Sequence, residues 1–110
     1  MSGPDPMEPP IADFFGDDPL GRTITLHSRT WIGHIVPGHH EMAERRADVE
    51  AVIVQPEEIH HSRSDDQCRL YYSPVLGDGL RIAVVADIVL GLVKTAYPVK
   101  RAKGGPKEWP

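Results

Sequence analysis

The sequence lacks several features that would assign it to a special class of protein. Its one cysteine, Cys68, cannot form a disulfide within the chain, and no apolar run approaches the roughly 20 residues of a transmembrane helix. The N-terminal segment MSGPDPMEPP has neither the basic nor the apolar region of a secretory signal peptide. We therefore expect a cytoplasmic protein without a membrane partner, with Cys68 packed rather than reactive.

The residues that are present fit one globular domain. A chain of 110 residues, 40% apolar and 25% charged, can bury one core but not two. Four prolines among the first ten residues and five acids among the first eighteen predict a flexible acidic arm over residues 1–18. We assign residues 19–110 to a single folded domain.

The charges are unevenly distributed along the chain. The formal net charge is -4, yet residues 1–20 contain five carboxylates and no Lys or Arg. Residues 94–110 contain five cations against one carboxylate, Glu108, which is a local charge of +4. The net charge therefore does not exclude a polyanionic partner, although solvated terminal lysines without a special role fit the same block.

A strand and two helices are predicted in the first half of the chain. Alternating polar and apolar residues over 22–27 indicate a half-buried strand. Ser28 or Thr30 can then cap a short helix that ends at Pro37 and Gly38. A second helix is predicted from about residue 41 to 54, because apolar and charged residues form separate stripes there, and Pro56 closes it.

The second half of the chain predicts a sheet. A short edge strand in EEIHH is followed by CRLYYSPV, LRIAVVADI and LGLVKTAYPVK, which are separated by short connections of the kind found in hairpins. In the last strand, one face is expected to carry Val93, Thr95, Tyr97 and Val99. The prediction is an α+β domain whose N-terminal helices pack on a four-stranded antiparallel sheet.

The segment HIVPGHHEM places three imidazoles and a carboxylate within nine residues. A helix-borne zinc site needs two histidines one turn apart, and this segment lacks that spacing, so a metal site is the weaker interpretation. Exposed turn histidines are a second alternative. The third is acid/base catalysis, because an unperturbed imidazole titrates at about pH 6.5 and can accept or donate a proton near neutrality.

Metal-independent RNA cleavage needs a base for the 2′-hydroxyl, an acid for the leaving oxygen and cations for the phosphate. The chain offers candidates for each role. They are His34 and His39 for proton transfer, Arg63 and Lys94 for the phosphate, and the hydroxyls of Tyr71, Tyr72, Thr95 and Tyr97 for positioning.

The order of segments adds a resemblance. TWIGHIVPGHHEM is followed by a helix ending at Pro56, then RLYYSP, an apolar strand and LVKTAYPVKRAKGGPKEW. The run W-x-x-H-I-x-x-x-H-x-E-M and the strand V-x-T-A-Y, with a trailing Gly and Trp, occur in the expected order. Over about residues 20–109 the chain resembles the phage- and mobile-element-associated nucleases of the barnase–EndoU–colicin–RelE (BECR) class.

The resemblance implies an α+β fold of the BECR type and a metal-independent ribonuclease activity without a cofactor. Carried over by position, it puts His34 and His39 at the helical end of the active site and Thr95 and Tyr97 on the facing last strand. It also implies that Arg63 and Tyr72 line the same cleft. With Lys94, which the chemistry of the residues suggests for the phosphate, and His40, an extra proton carrier or a tolerated substitution, they are the expected substrate-binding residues. The family pattern has proline where this chain has His40, so the choice between His39 and His40 stays open.

The leading hypothesis is a toxin- or effector-like endoribonuclease that cleaves structured RNA such as tRNA. Its expected partners are RNA and a cognate inhibitor or antitoxin protein. One alternative is a catalytically inert RNA- or protein-binding module of the same fold. A further alternative is a histidine-rich metal-binding protein.

Overall fold

A mixed sheet of seven strands organises residues 12–110, the part of the chain that the computed structural model describes. Its strands are β1 (Phe14–Asp17), β2 (Thr23–Leu26), β3 (Glu58–His61), β4 (Cys68–Tyr72), β5 (Arg81–Asp87), β6 (Leu92–Val99) and β7 (Lys107–Trp109). Their spatial order is β1-β2-β6-β5-β4-β3-β7. Neighbouring strands are antiparallel except β2 and β6, which run parallel and meet at Thr25 and Leu92.

The predicted α+β class is confirmed, but the sheet has seven strands rather than four and is mixed rather than antiparallel. Strands β3 to β6 form a central antiparallel meander, as consecutive strands with short connections do. The other three strands extend it at both edges, and two of them precede every described helix. These three strands are only three or four residues long, and two of them pair with strands that are distant in the sequence. A local sequence pattern carries no information about such pairing.

The first strand lies inside the segment predicted to be a flexible arm. Residues 14–17 pair with 23–26, and Gly16 lets β1 approach the helix that carries Val54. A Cβ at Gly16 would lie 2.9 Å from Val54 Cγ2, closer than side chains tolerate. The expected arm therefore does not extend to residue 18, and its residues 1–11 lie outside the described part of the chain.

The helical residues fall into two groups. The first is continuous, with α1 (Ser28–Thr30), a π-helical turn (Trp31–Ile35) and α2 (Val36–Gly38), and it ends at the predicted Pro-Gly break. The second has a 3₁₀ turn (His40–Met42) and α3 (Arg46–Val54), so the main helix begins about five residues later than predicted. Met42 is buried in the core and holds the 3₁₀ turn in place before α3 begins. The separation of apolar and charged residues in the sequence does not reveal this turn.

The core lies between α3 and one face of the sheet, here called the core face. A cross-strand row on this face contains Ile59, Tyr71, Val84 and Ala96. From α3, Val49, Val52 and Ile53 pack against the same cluster, and Trp31 and Ile35 add the apolar side of the first helical group. Each large apolar side chain buried in this way contributes roughly 1.5–3 kcal/mol.

The opposite face of the sheet, here called the outer face, carries two rows of residues. One row contains Tyr72, Ala83 and Tyr97, and the other contains Leu70, Val85 and Thr95. The pairing shifts in β6, because Val85 faces Thr95 while Ala86 faces Val93. Lys94 is the extra residue of this bulge, so the Val93 side chain packs in the core with Ala96. Simple alternation predicts instead that Val93 shares the face of Thr95, and that prediction is wrong.

Residues 100–106, here called the C-terminal strap, cross the outer face between β6 and β7. The Tyr72 hydroxyl hydrogen-bonds the backbone of Lys103, and the His60 ring contacts the Gly105 carbonyl oxygen at 3.0 Å. Gly104 adopts a φ of +129°, and a Cβ at Gly105 would lie 2.9 Å from the His61 carbonyl oxygen. The two glycines of the KGGP segment are therefore required for this close crossing.

Candidate functional site

The first helical group forms one wall of a shallow groove above the outer face. It follows β2 directly and contacts β6, the strand that neighbours β2 in the sheet. Trp31 and Ile35 point into the core, so Thr30 and His34 are left on the groove side. His34 lies in the π-helical turn, a local widening of the helix that occurs frequently at functional sites.

The facing wall comes from β5 and β6. A depression of about 460 Å³ is lined by Thr30, His34, Val85, Val93, Lys94 and Thr95. The bulge in β6 brings Lys94 and Thr95 to this side together, which regular alternation would not do. His34, Lys94 and Thr95 thus line one open depression, and the Lys94 ammonium lies 3.9 Å from a carboxylate oxygen of Asp65.

A second contact lies farther along the same strand. The rings of His39 and Tyr97 have centroids 5.7 Å apart and an interplanar angle of 35°. Of the two adjacent histidines, His39 is the one that contacts β6, whereas His40 is exposed in the following 3₁₀ turn. The Nδ1 atom of His39 also lies 3.8 Å from a carboxylate oxygen of Glu41.

These two contacts belong to one surface. Thr95 and Tyr97 are two residues apart on the same side of β6, which corresponds to roughly 7 Å along a strand. We call the surface formed by His34, His39, Lys94, Thr95 and Tyr97 the histidine groove. All five residues are exposed or half-buried, so the groove is accessible to solvent.

The structure places two other predicted binding residues outside this groove. Arg63 follows β3, and its Nε donates to the Gly104 carbonyl oxygen at 2.7 Å. Tyr72 is buried, its hydroxyl is engaged with the backbone of Lys103, and burial raises its pKa. Both residues therefore fasten the C-terminal strap and do not line the histidine groove.

Sequence patterning did not single out a pairing at the beginning of the first helical group. Asp13 Oδ2 lies 3.1 Å from His27 Nδ1, and Asp13 Oδ1 accepts the Ser28 N–H at 2.8 Å. The backbone bond of Ser28, followed by the contact with His27, lowers the pKa of Asp13. Asp13 thereby caps the helix in place of Ser28 or Thr30, and it orients His27 beside a neighbouring depression that shares Thr30.

A second unpredicted cluster, here called the ion-pair network, lies at one end of the core face. Asp18 accepts hydrogen bonds from the Tyr71 hydroxyl and from Arg22 Nε, the latter at 2.7 Å. Arg22 also donates to Glu108 at 2.7 Å, and Glu108 accepts from Arg69 Nε at 2.8 Å. The cluster joins the β1–β2 turn, β4 and β7. Its two acids balance its two cations, which leaves no charge available for a ligand.

Tyr71, which the sequence offered as a hydroxyl for positioning a substrate, is therefore part of the core. Burial, reinforced by the bond to Asp18, raises the pKa of its phenol. Sequence spacing could not have paired these residues, since Arg22 and Glu108 are 86 positions apart.

Two features absent from residues 12–110 bear on the remaining interpretations. No three His, Cys, Asp or Glu side chains in this part of the chain are grouped so that they could hold a metal ion. Nor does any helix there combine the length and apolar character required to span a bilayer. The thiol of Cys68 is buried, and burial raises its pKa, as expected for a packed cysteine.

Comparisons of the chain with protein-family models, with curated proteins and with solved structures find no match.

Proposed function

We propose that the protein is a metal-independent endoribonuclease of the BECR type, with its active site in the histidine groove. The observation that supports this most strongly is that two imidazoles, one from the first helical group and one from the residue that follows it, meet the hydroxyl-bearing side of β6. His34 shares a depression with Lys94 and Thr95, and the His39 ring contacts Tyr97. RNA cleavage without a metal ion needs this combination of proton carriers and a cation.

In the proposed reaction, one histidine accepts the proton of the ribose 2′-hydroxyl while its oxygen forms a bond to phosphorus. The bond from phosphorus to the 5′-oxygen breaks, and the other histidine donates a proton to that oxygen. The products are a 2′,3′-cyclic phosphate and a free 5′-hydroxyl. Lys94 stabilises the negative charge that accumulates on the phosphate, and Thr95 and Tyr97 position it through hydrogen bonds.

A toxin- or effector-like role in the cytoplasm, with structured RNA such as tRNA as substrate, belongs to the same proposal. It is supported by the resemblance of the histidine segment and of the last strand to this class of nucleases. A cognate inhibitor would then act by covering the histidine groove, which is open on the outer face.

The decisive experiment incubates purified protein with total RNA in EDTA and analyses the product ends. We expect fragments ending in 2′,3′-cyclic phosphate, with a rate reduced about 10²- to 10⁴-fold in His34→Ala and His39→Ala variants. His40→Ala is expected to retain activity, because His40 lies outside the groove. Absence of cleavage, or equal cleavage by the wild type and His39→Ala, would overturn the proposal.

A catalytically inert RNA-binding module is the second candidate, and one observation favours it. Catalytic histidines are usually oriented by a third group, and among the described residues His34 has no hydrogen-bond partner. Binding of RNA without any product, at protein concentrations that saturate the RNA, would support this candidate over the nuclease.

A further inference from the structure

Three cations of the C-terminal strap are free of carboxylate partners. Lys100, Arg101 and Lys103 are exposed, and none of their side chains forms an ion pair or hydrogen bond with another residue of 12–110. Most other cations lie within 4.0 Å of a carboxylate, namely Arg22, Arg45, Arg46, Arg69, Arg81, Lys94 and Lys107. The strap is therefore the part of the described surface where positive charge is concentrated and unneutralised.

The sequence around the strap reinforces this difference. Between residues 88 and 107 the chain contains five Lys or Arg and no Asp or Glu, although the whole chain has a net charge of -4. Local charge, rather than net charge, determines the potential that an approaching ligand meets within a Debye length of about 8–10 Å.

The strap is also held in place by its backbone, which leaves its side chains free. Tyr72 and His60 bind main-chain atoms of Lys103 and Gly105, and Arg63 binds that of Gly104. A cationic surface that is ordered before binding loses less conformational entropy when a ligand is bound. The three cations line, together with Val99, a depression of about 610 Å³.

The position of the strap connects it to the histidine groove. Tyr72, which anchors it, occupies the same cross-strand row as Tyr97 and lies two strands away, roughly 10 Å. Val99, which lines the strap depression, is two residues beyond Tyr97 in β6. A chain-like polyanion lying in the groove would therefore continue onto the strap.

We propose that the C-terminal strap binds the phosphodiester backbone of RNA through Lys100, Arg101 and Lys103. The choice of RNA over an acidic protein rests on the proposed ribonuclease function, whereas the anionic character of the ligand rests on the strap alone. Contacts of cations with phosphates supply binding that is independent of base sequence and strongly dependent on salt.

The test measures binding of a short fluorescein-labelled oligouridylate by fluorescence anisotropy, with His39→Ala present throughout so that the probe stays intact. In the combined Lys100→Gln, Arg101→Gln, Lys103→Gln variant, the dependence of log K on log salt is expected to weaken by about 2. Between about 50 and about 200 mM salt, the affinity of this variant should therefore fall about 16-fold less than that of its parent. Glutamine preserves the backbone bonds that fasten the strap.

Two controls separate charge from structure. The variant Lys100→Arg, Arg101→Lys, Lys103→Arg keeps all three charges and should keep the parental slope. Arg45→Gln removes a cation already paired with Asp48 and Asp78, and it should leave the slope unchanged. An unchanged slope in the triple glutamine variant would overturn the inference whether or not the wild-type protein cleaves RNA.

The outcomes also distinguish this inference from the proposed function. A weakened slope in the glutamine variant, together with a wild-type protein that does not cleave RNA, would support the strap and reject the nuclease. Displacement of the probe by polyglutamate as readily as by unlabelled oligouridylate would overturn the RNA assignment in favour of an acidic protein ligand.

Discussion

The ion-pair network and the histidine groove are both polar clusters on the same sheet, yet they differ in how their groups are paired. In the network every charge meets an opposite charge, and Asp18 is only 4% exposed. In the groove the pairing is looser, since His39 Nδ1 lies 3.8 Å from Glu41 and Lys94 Nζ lies 3.9 Å from Asp65, and the His39 side chain is 40% exposed. One cluster is satisfied within the protein, and the other is open to a ligand.

This difference indicates where stability and function are located. A buried polar group without a partner costs on the order of 1–3 kcal/mol, so the core face accepts charges only in a complete network. Solvent satisfies exposed groups at little cost, and a ligand can replace that solvent. We therefore expect changes in the network to alter the free energy of unfolding, and changes in the groove to alter activity.

The largest expected effect on stability comes from Asp18→Ala. The variant removes the acceptor of the Tyr71 hydroxyl and one of the two carboxylate partners of Arg22, so the free energy of unfolding should decrease by about 3 kcal/mol. Asp17→Ala, next in the chain but exposed, should change it by less than about 0.5 kcal/mol. Urea unfolding measures both values. A loss of RNA cleavage per folded molecule in Asp18→Ala, without this destabilisation, would contradict the division of roles.

The pH dependence of stability should come from the same network. Burial raises the pKa of Asp18 and of Glu108, but their hydrogen bonds outweigh it and hold the pKa of each below its usual value of 3.8 or 4.5. The unfolded chain therefore binds protons at higher pH than the folded chain does. The resulting stability is complete above those usual values and is lost as the pH falls through the folded-state values.

Tyr71 contributes to a loss of stability at alkaline pH. Its pKa is raised in the folded protein, mainly by burial, so its contribution is present below its usual pKa of 10.0 and declines as the pH rises beyond it. Urea midpoints from about pH 3 to about pH 11 should thus fall at both ends. Tyr71→Phe should reduce the loss of stability at alkaline pH without abolishing it, because the pKa values of Tyr72 and Cys68 are also raised. An unaltered loss in that variant would contradict the contribution of this phenol.

Tyr72→Phe tests the neighbouring tyrosine, which anchors the strap. The variant removes the hydroxyl that bonds the Lys103 backbone, and we expect a loss of about 1 kcal/mol. Hydrogen exchange at residues 103–105 should become faster, whereas exchange in β5 should stay slow. Tyr97→Phe is the matched control, because its side chain lies in the groove and should not affect the strap.

The extent to which the sequence predicted these features follows from how local each signal is. The four meander strands and the break after Gly38 depend on neighbouring residues, and they were predicted. The pairing of β1 with β2 and of Arg22 with Glu108 depends on contacts across the fold, and it was missed. The bulge at Lys94 was also missed, since it arises from register between two strands rather than from the pattern of one.

The histidine groove was predictable only in part, because it depends both on a local sequence pattern and on the geometry of the fold. The alternation of β6 predicted that Thr95 and Tyr97 share a face, and the register of the sheet agrees. Which of His39 and His40 approaches that face depends on the turn geometry after Gly38, and the structure alone indicates His39. A functional role for either histidine remains a prediction for the cleavage experiment.

The smallest expected effect on stability is that of Thr95→Val. This variant separates stability from activity, because it is expected to alter only activity. Valine has nearly the shape of threonine, and Thr95 is half-buried at the groove, so the free energy of unfolding should change by less than about 0.5 kcal/mol. Loss of one hydrogen bond to the reacting phosphate should nevertheless lower kcat/KM for RNA cleavage about tenfold.

Thr25→Val provides the matched control, because Thr25 is a buried strand threonine on β2 and does not line the groove. It should leave kcat/KM unchanged. Single-turnover cleavage and urea unfolding of both variants give the two quantities side by side. Full activity of Thr95→Val, or equal losses of activity in the two variants, would mean that the hydroxyl of Thr95 has no special relation to the substrate and that the groove begins at Tyr97.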